Sequence, residues 1–173
     1  MTQPRPSFAP GPPLEELCAA LRVGKDAAAG EPLTISVGVE WHVLPLASLA
    51  VVRGLDPDMS ALTALEARTG IAVTVFCREA EDPDCSVRVR SFAPGSGIPE
   101  DPVCGSGNGC VGAYQVHTGS GDAPLVYTAE QGIELGRPGR VQVRIERGPD
   151  GYVVQVGGRA VTLFSGELSL PGR

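Results

Sequence analysis

The feature that most constrains the fold of this 173-residue sequence is a helix-compatible segment of mostly small residues, 108–117, with strand-like segments on both sides. Small side chains along a helix let neighbouring elements approach its backbone closely. Only 5% of the residues are aromatic, so the surrounding core must be built from Val, Leu, Ile and Ala. The pattern predicts a buried helix around which strands pack.

Alternating and apolar segments predict the strands. Residues 141–146 alternate cleanly, which is typical of a strand with one face on a core and the other in water. The 23 Gly and 16 Pro favour the tight turns of a strand-rich fold. Residues 1–13 are rich in Pro and Gly, and we expect an extended N-terminal arm there, followed by one domain over 14–173. The predicted strands are 33–37, 41–46, 71–76, 87–92, 125–128, 141–146, 152–156 and 160–163, and the further predicted helices are 14–21 and 58–68.

Charge and cysteine usage narrow the possible partners. The formal net charge is −6 and there is no run of Lys or Arg, so we expect neither nucleic acid nor an anionic membrane as a partner. The sequence has no membrane-span-like stretch and no signal-peptide pattern, so we expect a cytoplasmic location. The cysteine spacings fit neither a disulfide framework nor a zinc site, so we expect free thiols and no metal. The cysteines are Cys18, Cys77, Cys85, Cys104 and Cys110.

The candidate chemistry lies where a Pro/Gly-rich loop opens into a glycine-rich helix start. Glycines there leave the first backbone N–H groups uncovered at the positive end of the helix dipole, where carboxylates and phosphates bind. Gly105, Ser106, Gly107 and Asn108 are therefore the candidate substrate-binding residues. The alternative interpretation is that these glycines only permit a tight turn.

Two side chains beside this turn are candidates for chemistry. The field of the helix would favour the thiolate form of Cys104 and make it a proton acceptor. Asp101 can accept a hydrogen bond from an ammonium or amide group of a ligand. A second interpretation of Cys104 stays open, in which it is a small residue that fills space.

Several motifs closely resemble the signature of the PhzF-like (phenazine biosynthesis) isomerases, which have the diaminopimelate-epimerase fold. The main motif is FAPGSGIPEDPVCGSGNG at 92–109. Downstream, EQG at 130–132, LGRPGR at 135–140 and VGGRAV at 156–161 resemble the closing strands of that family. Upstream, VLPL at 43–46 resembles the start of its second domain. The resemblance runs from about residue 14 onward and is to the C-terminal domain.

The resemblance implies an α+β fold, a single diaminopimelate-epimerase-like domain in which a curved mixed β-sheet wraps a central α-helix. It also implies an isomerase or epimerase that uses no cofactor or metal and moves a proton on a small carboxylate or amino-acid-like substrate between two such domains. The N-terminal domain that carries the PhzF catalytic glutamate has no counterpart in this sequence. At Cys104 that family usually has threonine, whereas amino-acid epimerases of this fold have cysteine, one of two opposed proton-transfer residues.

The resemblance leaves three arrangements open. Two copies in a two-fold homodimer would bring two Cys104 thiols to opposite faces of one substrate. A separately encoded N-terminal half is the second arrangement, and a non-catalytic carboxylate-binding module is the third. In related folds the turn before Trp41 approaches the active site, so Glu40 is a candidate general base and His42 a second acid or base. The alternative for both is a structural role at a strand edge.

Overall fold

One curved nine-stranded sheet forms the framework, and a single long helix lies against its inner face. The computed structural model describes residues 1–167 and 169. The strands are β1 (Ser7–Pro10), β2 (Leu33–Ser36), β3 (Glu40–Pro45), β4 (Ala72–Cys77), β5 (Val87–Ala93), β6 (Ile98–Asp101), β7 (Leu125–Gln131), β8 (Gly139–Gly148) and β9 (Gly151–Gly157). The helices are α1 (Leu14–Ala20), α2 (Leu49–Arg53), α3 (Met59–Thr69) and α4 (Gly105–Thr118).

The sheet is mixed, with the order β1-β2-β3-β4-β5-β7-β8-β9, and β6 pairs with β5 outside this path. The pairs β3–β4 and β5–β7 are parallel, and the others are antiparallel. Both parallel connections pass through helices, as a crossover requires. The α+β class and the curved sheet around a central helix are therefore confirmed.

The two faces of the sheet carry separate apolar cores because side chains alternate along each strand. The inner face, which includes Trp41 and Val89, packs against α4. The outer face, which includes Leu44 and Val75, is covered by α1, α2 and α3. A side chain on β3, β4 or β5 therefore points to one side of the sheet or the other, and this alternation decides which residues reach α4.

The central helix α4 is buried along ten consecutive residues, from Gly107 to Val116. A Cβ at Gly112 would lie 2.8 Å from Cγ1 of Val143, which is closer than real Cβ atoms approach other atoms. A glycine at this position is what allows β8 to pack directly on the helix backbone. The small residues of the sequence thus have the role that their pattern predicts.

The N-terminal residues run along the sheet. Thr2 forms an isolated β-bridge with Gln155 of β9. At the opposite end of the strand order, β1 pairs with β2. The ring of Phe8 stacks on His117 near the end of α4, with ring centroids 4.0 Å apart. The division of the chain at residue 13 stays a prediction.

Two local predictions need correction. Residues 160–163 were expected to form a strand, but the structure places them outside any strand and exposed. The predicted loop between residues 93 and 104 contains the short strand β6. By contrast, the predicted helix 58–68 is confirmed as α3, in which the carboxylate of the N-cap residue Asp58 accepts hydrogen bonds from two backbone N–H groups and Gly70 is the C-cap.

Candidate active site at the start of the central helix

The first turn of α4 is organised around Cys104. The sulfur of this N-cap residue accepts a hydrogen bond from the backbone N–H of Gly107 at 3.2 Å. Its carbonyl accepts from the backbone N–H of Asn108 at 3.1 Å. The helix itself supplies no partner to the N–H groups of Gly105 and Ser106, since the first turn has no preceding carbonyls. Both residues are half-buried, so an anion has a route to these donors.

The surroundings of Cys104 favour the neutral thiol over the thiolate. Only 5% of the residue is exposed. Burial raises the pKa of Cys104, and the hydrogen bonds from Ser106 and Gly107 oppose this only in part. The expectation that the helix field would favour the thiolate was therefore wrong, because desolvation of the charge outweighs the nearby donors. At neutral pH the thiol is suited to donate a proton rather than to accept one.

A buried amide, Gln131, holds the whole turn in place. Its side-chain oxygen accepts from the backbone N–H of Cys104 at 3.2 Å and from the side-chain amide of Asn108 at 2.7 Å. Its side-chain nitrogen donates to the carbonyl of Asp101 at 2.7 Å. Gln131 was not predicted as a site residue, although it lies in the EQG motif. In the sequence it is a polar residue at a position of β7 where strand alternation would place a buried apolar residue.

A hydroxyl links the sheet to the thiol. The indole N–H of Trp41 donates to Oγ of Ser106 at 2.9 Å, and that oxygen lies 3.6 Å from Sγ of Cys104. Because the Ser106 oxygen accepts from the indole, its own proton is free to point toward the sulfur. Trp41 therefore fixes the Ser106 side chain beside Cys104, a contact that sequence spacing alone did not reveal.

Asp101 lies close to the turn, but its carboxylate has a local role. One carboxylate oxygen accepts from the backbone N–H of Val103 at 2.9 Å, which closes the short bend between β6 and α4. The residue is half-buried. The negative charge of Asp101 also contributes to the raised pKa of Cys104.

Glu40 and His42 are not brought to the thiol. His42 is buried on the outer face, where its Nδ1 lies 2.9 Å from the Thr34 hydroxyl and its Nε2 lies 3.3 Å from the Thr69 hydroxyl. Burial lowers the pKa of His42, and the positive charge of Arg68 lowers it further. Strand alternation sets both predicted residues on the face opposite Trp41, and Glu40 is exposed. The structure therefore gives His42 the hydrogen-bonded structural role that the sequence left open.

The surface around the helix start is partly apolar. Val103, which precedes Cys104, is 49% exposed, and Val39 is 55% exposed. Val39 lies near the same helix, since its carbonyl accepts from the thiol of Cys110 at 3.9 Å. Cys110 itself is fully buried, as expected of a core residue.

The part of the chain that the structure describes has neither a metal-binding cluster nor a membrane-spanning helix. Within residues 1–167 and 169, no three His, Cys, Asp or Glu side chains come together as a metal site. None of the helices in this part of the chain has the length and apolar character needed to cross a membrane.

Comparisons with known proteins agree on one family. A family model described as phenazine biosynthesis-like protein (PhzC-PhzF) matches residues 6–166. An uncharacterized isomerase of Clostridium acetobutylicum is 34% identical over 142 residues, which cover 79% of this chain and 47% of that protein. An uncharacterized isomerase of Deinococcus radiodurans is 36% identical over 139 residues, which cover 76% of this chain and 44% of that protein.

Solved structures show the same fold. A phenazine biosynthesis protein of the PhzF family from Bacillus anthracis matches with a TM-score of 0.80 and 24% identity, covering 91% of this chain and 56% of that chain. A predicted epimerase from Pseudomonas aeruginosa matches with a TM-score of 0.66 and 25% identity, covering 95% and 58%. The chain spans about half the length of the curated relatives that it matches.

Proposed function

Because the chain belongs to the phenazine biosynthesis-like family, we propose that it is one lobe of a cofactor-independent isomerase or epimerase. Its substrate is a small carboxylate or an amino-acid-like molecule, on which acid–base chemistry moves a proton at carbon. One observation carries the proposal: the thiol of Cys104 lies at the same helix end as the N–H groups of Gly105 and Ser106. An acid and an anion site thus share one turn.

An acid beside an anion site suits a proton transfer next to a carboxylate. The substrate carboxylate binds at the start of α4, where backbone N–H groups and the helix dipole favour negative charge. Removing a proton from the adjacent carbon places further negative charge on the substrate, and fixed donors stabilise it without having to reorganise. The thiol of Cys104 then gives its proton to the carbon. A base on the opposite face of the substrate must have taken the first proton.

The opposite wall of the site comes from a second lobe, in our proposal a second copy of this chain in a two-fold homodimer. Two surfaces support this. Val39 and Val103 are exposed beside the helix start, and three apolar side chains after β9 are exposed as well. The latter are Val161, Leu163 and Phe164, at 83%, 88% and 89%. Exposed apolar groups that form one contiguous patch are typical of surfaces that another chain covers, and we propose that these side chains lie in the dimer contact. In a two-fold assembly each copy would present its own Cys104 to the shared site.

The raised pKa of Cys104 favours a second candidate arrangement. A homodimer supplies two thiols of equal environment, and one of them must be a thiolate to act as the base. A separate chain with a carboxylate would supply a base that is already ionised at neutral pH. In this arrangement Cys104 serves only as the acid. The third arrangement is a carboxylate-binding module without catalysis, which would bind the substrate but move no proton on it.

Exchange of substrate hydrogen for deuterium tests the activity. The purified chain is incubated in heavy water with a panel of small α-amino acids, and mass spectrometry follows deuterium at the α-carbon. We expect incorporation for at least one substrate, and we expect the Cys104→Ser variant to lose it. The matched control is Cys85→Ser, which removes a half-buried thiol located outside α4. Full activity of the Cys104→Ser variant would refute the role of this thiol.

The assembly is tested by mass measurement in solution and by mixing. If two Cys104 thiols share a site, equal mixing of wild-type and Cys104→Ser chains leaves about one quarter of the dimers with both thiols. Racemisation should then fall to roughly that fraction. A monomer that exchanges deuterium only after a carboxylate-bearing partner lobe is added supports the second arrangement. A chain that binds the substrate but never exchanges deuterium, alone or with such a lobe, is a binding module.

A further inference from the structure

Two buried hydroxyls break the apolar pattern of the inner face beside the first turn of α4. Thr74 on β4 and Ser91 on β5 are cross-strand neighbours, and neither is exposed to solvent. Their inner-face neighbours along the same strands, Phe76 and Val89, belong to the apolar core. The hydroxyl oxygens of Thr74 and Ser91 contact each other. Burying a hydroxyl is costly unless it is hydrogen-bonded, so two adjacent ones at this place need a reason.

The position of Gly107 shows what these hydroxyls face. A Cβ built on Gly107 would lie 3.0 Å from the hydroxyl oxygen of Ser91, 3.0 Å from that of Thr74 and 3.1 Å from Sγ of Cys104. All three atoms therefore surround one point on the helix, and a side chain there would crowd them. The absence of a Cβ at residue 107 lets the sheet hydroxyls and the thiol share this space.

We propose that Ser91, held by Thr74, is a positioning residue that stabilises the sulfur of Cys104 whenever it carries negative charge. The inference rests on the proposed function and deepens it. When Cys104 acts as the acid, its S–H bond breaks as a C–H bond forms on the substrate. The electron pair of the S–H bond stays on the sulfur, so a negative charge appears in a buried place at that moment.

The hydroxyl pair has two hydrogen-bonding states that match the two states of the sulfur. The Thr74 hydroxyl lies 3.5 Å from the carbonyl of Arg90, and either hydroxyl of the pair can donate to the other. We assign the neutral thiol to the state in which Thr74 donates to Arg90 and Ser91 donates to Thr74. With a thiolate, both protons rotate, so that Thr74 donates to Ser91 and Ser91 donates to the sulfur. The rotation moves no heavy atom. It therefore supplies a donor to the charge without any rearrangement of the core.

In our proposal Ser91 becomes the third donor to the sulfur when the sulfur is charged. The others are the backbone N–H of Gly107 and the hydroxyl of Ser106. Burial raises the pKa of Cys104, and a hydrogen bond from Ser91 is one of the contacts that oppose it. Hydrogen bonds to a charged form favour that form, so each donor lowers the cost of the thiolate.

Titration of the thiol tests the inference. The chain is labelled with ¹³Cβ-cysteine, and the Cys104 signal, assigned with the Cys104→Ser variant, is followed against pH by NMR. We expect the titration midpoint of Cys104 to rise by about one pH unit in Ser91→Ala. The matched control is Thr74→Ser, which deletes a methyl group from the same cluster but keeps the hydroxyl, and it should leave the midpoint where it is.

The outcomes separate a positioning role from a packing role. An unchanged midpoint in a folded Ser91→Ala variant overturns the inference, as does an equal rise in Thr74→Ser. If Ser91→Ala does not fold, Thr74→Val removes the supporting hydroxyl without changing shape and should raise the midpoint by a smaller amount. No rise in Thr74→Val then overturns the inference. The titration needs neither substrate nor a second lobe, so its result is independent of whether the chain exchanges deuterium.

Discussion

The hydrogen bonds of Gln131 give the sharpest prediction about how the site is held. Gln131→Met keeps the length and volume of the side chain but removes its amide. Three partners then lose a bond: the backbone N–H of Cys104, the side-chain amide of Asn108 and the carbonyl of Asp101. The cost depends on how each of these groups can be satisfied in another way.

The three losses are unequal. Asn108 keeps its bond to the carbonyl of Cys104 at 2.8 Å, and the half-buried Asp101 has access to water. The N–H of Cys104 is buried and has no such replacement. Each buried group left unsatisfied costs about 1–3 kcal/mol, so we expect the free energy of unfolding to fall by about 2–4 kcal/mol.

Urea unfolding followed by circular dichroism measures this loss. The matched control is Gln142→Met, which makes the same chemical change at an exposed position on β8 and should alter the free energy of unfolding by less than about 0.5 kcal/mol. Hydrogen exchange at the Cys104 amide should also become faster in Gln131→Met. If the two variants unfold at the same urea concentration, Gln131 does not hold the turn and the reasoning fails.

Three further predictions concern other parts of the fold. Burial lowers the pKa of His42, so the unfolded chain binds a proton at this residue more readily than the folded chain does. The free energy of unfolding therefore decreases as pH falls below about 6.5, the pKa of an unfolded histidine. His42→Asn should lose less stability than the wild type between pH 7 and pH 5 in urea titrations, and an equal loss contradicts this. Arg90→Met leaves the buried carboxylate of Glu100 without its two contacts at 2.8 and 2.9 Å and should cost about 3–5 kcal/mol. The matched comparison is the exposed ion pair of Arg144 and Glu146, where Arg144→Met should lower the free energy of unfolding by less than about 1 kcal/mol. Similar losses for the two variants would contradict this prediction. Gly112→Val would force atoms into β8, where a Cβ already comes within 2.8 Å of a side chain, and should lower the melting temperature by roughly 5–10 °C; an unchanged melting temperature would show that the helix can move away.

The candidate site shows where reasoning from residues along the chain succeeds. The glycines and the cysteine of residues 104–109 are contiguous, so one local pattern located the helix start and the side chain that caps it. The helix dipole is also a local property, and α4 begins at Gly105, at the glycine-rich turn where the sequence placed a helix start. The same local reasoning gave the wrong direction for the pKa of Cys104, since it could not include the atoms that bury the sulfur.

The buried small-residue helix, most of the strands around it and the motif that assigns the family could be predicted from the residues alone. Periodicity, glycine at close approaches and capping residues act within a few residues of one another. The side chains that meet at Cys104 could not be predicted in this way. Thr74, Ser91 and Gln131 come from three different strands, whose register and curvature bring them to one turn, while strand alternation turns His42 to the other face. Desolvation follows from that assembly, and for this reason the charge state of the thiol was set by the fold rather than by its neighbours in the chain.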